Sequence, residues 1–248
     1  MKYVERLAGC QPAWRQRVDS AWERLLPSLC VLCGTQAADG LCPPCRRGLP
    51  WNRDACARCG LPLARGAGQV CGPCLVRPPP WDRACCPLRY AFPVDRLIQA
   101  FKFRRGMAAG RVLAELLAAA IRDRDAGRPD LLLPVPLHAL RAFRRGFNQA
   151  CELAQVVSGQ LQVDLLPAAL RRRRNTPAQT GRDAAARRGN VRGAFAWHGP
   201  ALSGRSVALI DDVITTGATL DACARVLRRA GAGTIEAWAV ARALKPGA

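Results

Sequence analysis

Downstream of about residue 85 the chain alternates between two apolar periods. Helical spacing, with apolar residues three and four apart, marks 95–103 (DRLIQAFKF), 108–124, 148–161 and 218–231, the last stopped by a glycine. Between them lie short apolar runs of strand length at 130–136 (DLLLPVP), 163–167, 206–212 (SVALIDD) and 234–242. Strand and helix in turn predict an α/β fold, a mostly parallel sheet covered by helices on both faces. The stretch 171–191 is polar and basic and is expected to be largely loop, with room for a short helical piece.

Upstream the pattern changes. Val18, Trp22, Leu25 and Leu26 share one helical face over 14–26, with Arg15, Arg17 and Arg24 elsewhere, and Pro27 ends the run. From 30 to 74 long apolar periodicity is absent, and cysteine pairs, glycines and prolines dominate. Such a segment builds little core by itself. The expected organisation is a helical extension over 1–27, a cysteine-rich module over 28–77, a junction at RPPPW (77–81) and an α/β domain over 85–245.

Composition adds two constraints. Lys and Arg outnumber Asp and Glu by 38 to 18, a net of +20, which favours polyanionic partners or substrates. No run of about 18 apolar residues exists, so no membrane-spanning helix is expected, and the first residues lack the apolar centre of a signal peptide. A cytoplasmic chain is expected. In a reducing compartment its 13 cysteines point to metal more than to disulfides.

Eight of those cysteines form four pairs with one spacing: Cys30 and Cys33, Cys42 and Cys45, Cys56 and Cys59, Cys71 and Cys74. Two intervening residues let both thiolates reach one ion from a tight turn, and two such knuckles complete a tetrahedral site. Two structural Zn²⁺ ions are predicted; an iron–sulfur cluster is the less fitting occupant. Short gaps favour joining consecutive pairs, 30/33 with 42/45 and 56/59 with 71/74, over a cross-braced arrangement. The only histidines, His138 and His198, lack spaced partners, which argues against histidine-based metal or triad chemistry.

The stretch VALIDDVITTGATL (207–220) carries the second chemical signal. Asp211 and Asp212 are expected at the carboxyl end of a buried strand, where open parallel sheets bind ligands. Thr215, Thr216, Gly217, Ala218 and Thr219 then form a tight turn into a helix. Unpaired backbone N–H groups and the helix dipole make such a start a phosphate cradle, and glycine admits close approach. Carboxylates cannot bind that phosphate, but they accept hydrogen bonds from vicinal hydroxyls. A ribose 5-phosphate satisfies both halves. An ordinary N-cap would explain Thr216 or Thr219 without explaining the two charges. No Walker A loop is present.

VALIDDVITTGAT resembles the thirteen-residue phosphoribosyl diphosphate (PRPP) signature of type I phosphoribosyltransferases. That resemblance implies that the acidic pair holds the ribose and that 215–219 hold the 5-phosphate. LLLPVPLH (131–138), RRGFNQ (144–149), FKFRRG (101–106) and the basic segment 171–195 resemble the ComF family of competence proteins, which also carries an N-terminal double zinc ribbon. The fold implied is a type I phosphoribosyltransferase-like sheet flanked by helices behind that ribbon. Val135, Pro136 and Leu137 then stand where the pyrophosphate loop lies, although Pro136 has no N–H to donate. The segment 171–191 stands where the superfamily has its mobile lid.

The adopted reading is a protein of DNA uptake that binds single-stranded DNA and keeps a pocket for PRPP or a nucleotide, with Mg²⁺ accompanying PRPP. Lys102, Arg145 and the run Arg171, Arg172, Arg173 and Arg174 are its candidate phosphate contacts, and Trp51, Trp81, Phe103 and Phe147 its candidates for base stacking. Two alternatives stand beside it. One is an active phosphoribosyltransferase using a nitrogen nucleophile, for which no nucleobase pocket is recognisable. The other is a PRPP-sensing regulator or scaffold that docks a helicase-like partner.

Overall fold

The computed structural model describes residues 29–66, 68–103, 106–124, 127–137, 146–173 and 193–244. The helix expected over 14–26, His138, Arg104, Arg105, Arg144, Arg145, Arg174 and most of the proposed lid lie outside the described residues.

Two five-residue helices, α1 (Pro43–Arg47) and α2 (Gly72–Val76), each begin directly after a cysteine, with proline in the first turn. Proline is suited there because the first N–H groups have no intrahelical partner. Strands β1 (Arg83–Cys85) and β2 (Leu88–Arg89) follow, then α3 (Val94–Phe103), α4 (Met107–Arg122), β3 (Leu131–Pro134), α5 (Gln149–Leu161) and β4 (Asp164–Leu165). The chain continues through β5 (Leu170–Arg172), β6 (Phe195–Trp197), β7 (Val207–Ile214), α6 (Ala218–Arg229) and β8 (Ile235–Arg242).

The main sheet runs β1–β8–β7–β3–β4, with β2 pairing β8 beyond β1, and every pairing is parallel. Period-2 alternation divides its side chains between two cores. Leu132, Ala208, Ile210, Trp238 and Val240 face α3, α4 and α5. Leu131, Leu133, Val207, Leu209, Ala237 and Ala239 face α6, through Leu220, Cys223, Ala224 and Leu227. A strand buried on both faces is therefore almost continuously apolar, as β7 is up to Ile210.

Three sequence expectations need correction. The strand after 206 does not stop at the aspartates but continues to Ile214, because β8 pairs with Val213 and Ile214 as well. The stretch expected to be loop from 171 begins as a strand: β5 pairs antiparallel with β6, and this hairpin brackets the segment beyond Arg173. The junction expected at 77–81 leads directly into the sheet domain. Trp81 is 4% exposed and packs in the α6-side core, and the sheet starts at Arg83, ahead of the expected domain edge.

The cysteine-rich module is likewise joined to the sheet. Cys30, Leu41, Cys42 and Leu49 belong to the same core as α3 and α4. Cys56, Cys59, Cys71 and Cys74 form a separate small cluster with Leu61, Leu63 and Val70. No helix among the described residues is long and apolar enough to cross a membrane.

Candidate functional site

The order of the sheet fixes where a crevice opens. From β3 the chain winds outward to β4, and from β7 it winds the other way to β8, so the connections diverge between β3 and β7. The pairing of β3 with β7 ends at Pro134 opposite Ile210, and the Val135 N–H still donates to the Ile210 carbonyl at 2.8 Å. Beyond that point β7 keeps only β8 as a paired neighbour, and the next residues are Asp211 and Asp212.

The two carboxylates are adjacent and differently supported. Asp212 is 8% exposed, and its Oδ2 lies 2.6 Å from Lys102 Nζ at the end of α3. Asp211 accepts a hydrogen bond on Oδ1 from the Asp212 N–H at 2.9 Å. Burial, then the charge of Asp212, push the Asp211 carboxyl up to about 7, against the pull of the Asp212 N–H and of Lys102. Asp211 is largely enclosed by protein yet keeps some accessible surface. Its charge also reaches the Cys223 thiol on α6. Burial raises that thiol foremost, Asp211 raises it further, and Arg172 of β5 pulls it down.

Next to this acidic floor the chain turns into α6. Gly217 has φ +77° and stands at the N-cap position, where a side chain would be strained. A Cβ there would lie 3.1 Å from the Trp81 ring. The first intrahelical bond of α6 runs from the Asp221 N–H to the Gly217 carbonyl, so the preceding N–H groups have no helical acceptor. Thr216 Oγ1 makes only a long contact, 3.4 Å, with the Ala218 N–H. Thr215 is exposed, and Thr216 to Thr219 are partly so. Acceptors and donors thus stand side by side at one strand-to-helix turn.

The other predicted residues fall around this turn in part. Val135 and Pro136 are buried at the end of β3, and Leu137 is partly exposed. Asn148, from RGFNQ, ties that end to α5: its Nδ2 donates to the Val135 carbonyl at 3.2 Å, while its Oδ1 caps the helix through the Ala150 N–H. Phe147 is buried against Phe101, ring centroids 5.5 Å apart, and Trp81 is buried too. Neither is available for base stacking, because the apolar core has taken both. Trp51 is partly buried with its indole N–H on the Arg46 carbonyl, and Phe103 remains 70% exposed. Lys102 is engaged by Asp212. Arg171 and Arg173 are exposed on the hairpin, and Arg172 lies over the Phe195 ring at 5.4 Å.

The cysteine clusters answer the pairing question. Cys30, Cys33, Cys42 and Cys45 form one group and Cys56, Cys59, Cys71 and Cys74 another, each with sulfurs within 4.8 Å of one another, so consecutive pairs join. A tetrahedral ion with Zn–S bonds of ~2.3 Å holds its sulfurs ~3.8 Å apart. The Cys33–Cys42 and Cys59–Cys71 separations, both 3.6 Å, fit it. Each cluster holds thiols drawn toward ionisation, Cys30 and Cys33 in the first, the latter chiefly through the Thr35 hydroxyl, and Cys56 in the second. Burial raises Cys30, but N–H groups of Cys42, Cys33 and Leu32 outweigh it and bring the thiol down to about 6. The same opposition, with N–H groups of Cys71, Cys59 and Arg58, brings Cys56 to about 7. Neighbouring thiols, Cys42 first, push Cys45 up to about 12, and burial is the largest of the causes that raise Cys59 to about 11. Four thiolates therefore need a cation, and these are structural Zn²⁺ sites with every position filled by protein.

One residue that sequence reasoning passed over proves central. Arg242, at the end of β8, is 5% exposed. Its Nε donates to the Cys59 carbonyl at 2.9 Å. Its Nη1 donates to the carbonyls of Ile214 (2.8 Å), Ala243 (2.7 Å) and Thr215. Only an arginine following a long apolar strand hinted at it.

Comparison with known proteins places these features. Residues 21–75 match the double zinc ribbon domain family. The chain is 39% identical to Competence protein F of Haemophilus influenzae over 213 residues, covering 84% of this chain and 92% of that protein. It is 37% identical to the DNA utilization protein YhgH of Escherichia coli O157:H7 over 226 residues, 88% of this chain and 99% of that one. The corresponding Salmonella typhimurium protein is 34% identical over the same length.

Proposed function

The chain belongs to the ComF family of competence proteins, and from that premise we propose that it handles single-stranded DNA in DNA uptake while its β7–α6 crevice holds PRPP or a nucleotide. The observation that carries the pocket is the juxtaposition of Asp211 and Asp212 with the amide-lined start of α6. The carboxylates accept from the ribose diol, and the N–H groups of 215–219 donate to the 5-phosphate, with the Thr hydroxyls beside them. Mg²⁺ accompanies the diphosphate of PRPP.

The DNA-handling half is supported by the name of the Haemophilus relative and by charge. The described ribbon, 29–77, carries Arg46, Arg47, Arg53, Arg58, Arg65 and Arg77 against Asp39 and Asp54. With two of the aromatic candidates buried, the reading assigns DNA affinity to phosphate contact more than to base stacking. Salt titration of an oligodeoxynucleotide tests this, with and without PRPP and Mg²⁺. The expected log–log slope is about −3 or steeper, since each contacted phosphate contributes about −0.7. A slope near zero refutes it.

Phosphoribosyl transfer to a nitrogen nucleophile is the second reading. It is favoured by the β5–β6 hairpin, which brings Arg172 near Cys223, the thiol whose other charged neighbour is Asp211. Release of pyrophosphate that depends on an added base would support it.

A further inference from the structure

The second cysteine cluster is wired to the start of α6 through its backbone. The turn between Cys56 and Cys59 offers consecutive carbonyls, and each has a donor from the sheet domain. Ala57 accepts from the Ala84 N–H at 2.8 Å, Arg58 from Trp81 Nε1 at 2.6 Å and Cys59 from Arg242 Nε at 2.9 Å. The next carbonyl, Gly60, accepts from Asn52 Nδ2 at 2.8 Å, whose other contact is the Cys86 carbonyl.

Two of these donors touch the crevice turn. The Trp81 ring lies where a side chain on Gly217 would be. Arg242 holds the carbonyls of Ile214 and Thr215. A trans peptide points its N–H opposite to its C=O. Drawing these two carbonyls toward Arg242 therefore aims the N–H groups of Thr215 and Thr216 to the other side. Burying a guanidinium among carbonyls, with no carboxylate at salt-bridge distance among the described residues, is costly unless the arrangement needs a planar fork. Among the described residues the first cluster has no such link to the turn. Its knuckles pack on the core, with Gly40 against Val112 of α4.

We propose that Arg242 and Trp81 are positioning residues that make the Cys56/Cys59/Cys71/Cys74 site, and not the first site, the template for the phosphate-binding turn. The proposal rests on reading 215–219 as a phosphate cradle, and its consequence is that filling of one zinc site sets affinity in a pocket built by another part of the chain.

The test uses the full zinc-loaded chain and two readouts: amide hydrogen exchange over 211–220, and titration with ribose 5-phosphate. Trp81→Phe keeps an aromatic side chain and every cysteine, and removes both the indole N–H on the Arg58 carbonyl and the ring atoms that face Gly217. Arg242→Lys keeps the charge and loses the fork. Both are expected to speed exchange at 215–219 and to weaken ribose 5-phosphate about five- to tenfold, the size of one or two net hydrogen bonds. Cys74→Ser, with its lost zinc confirmed by metal analysis, is expected to do the same, and Trp81→Phe added to it changes little more. Cys45→Ser is expected to leave exchange at 215–219 as in the wild type. Unchanged exchange and affinity in Trp81→Phe and Arg242→Lys overturn the proposal, as does an equal effect of Cys45→Ser and Cys74→Ser on the turn. If Cys74→Ser unfolds throughout, the two variants with intact cysteines decide. A wild type blind to ribose 5-phosphate refutes the pocket reading instead, and the exchange readout still judges the coupling.

Discussion

Asp211→Asn should make the protein more stable at alkaline pH, and the gain should fade on acidification. Burial and the neighbouring Asp212 hold the Asp211 carboxyl at about 7 in the folded chain, against ~3.9 when unfolded. The folded state therefore retains a proton that the unfolded state has lost between those values. Stability from this group is full below pH ~3.9, declines as pH rises through the window and is lost above about 7. Three units at ~1.36 kcal/mol each give about 4 kcal/mol, and the remaining solvent contact of the crevice reduces this to about 2–4 kcal/mol. Asparagine resembles the protonated acid and still accepts from the Asp212 N–H, so it removes the penalty without removing that bond. Urea unfolding of wild type and variant from pH 4.5 to 8.5 measures the difference, and any loss of zinc at low pH cancels between them. Parallel profiles, or a variant less stable at pH 8, would refute the burial argument. Because a diol prefers the ionised acid, ligand affinity in the wild type should also rise as pH passes 7.

Lys102→Met should destabilise by about 2–3 kcal/mol in thermal or urea unfolding, because it leaves the mostly buried Asp212 charge unpaired; a neutral outcome would mean the pair is solvated. Gly217→Ala should cost about 1–2 kcal/mol and weaken phosphate binding, since alanine is strained at φ +77° and its Cβ meets the Trp81 ring. Metal analysis should find two zinc ions per chain, one fewer in Cys42→Ser or in Cys71→Ser; equal contents in all three would contradict separate sites.

Much of this architecture was legible because it rests on local periods. The apolar run Val207 to Ile210 could only be a strand buried on both faces, and the cysteine spacing specified knuckles before any fold was known. What escaped the sequence is what depends on distant partners. Asp211 and Asp212 read as a strand end because charge usually interrupts a strand; β8 extends it by pairing with Val213 and Ile214. Arg171 and Arg172 read as loop because their β-partner, Phe195–Trp197, lies beyond a long polar stretch. Trp81 and Phe147 read as available aromatics, and only tertiary packing removes them from the surface. Arg242 left little local signal beyond a charge at the end of an apolar strand, since its four acceptors come from three separate segments.

The most direct measurement of the pocket is a calorimetric comparison of ribose 5-phosphate with 2-deoxyribose 5-phosphate on the wild type and on Asp211→Asn/Asp212→Asn. The account predicts that the ribose compound binds the wild type more tightly than the deoxy sugar, and that the double variant loses the preference while keeping both zinc ions. Equal affinity for the two sugars, or an undiminished preference in the double variant, would contradict it.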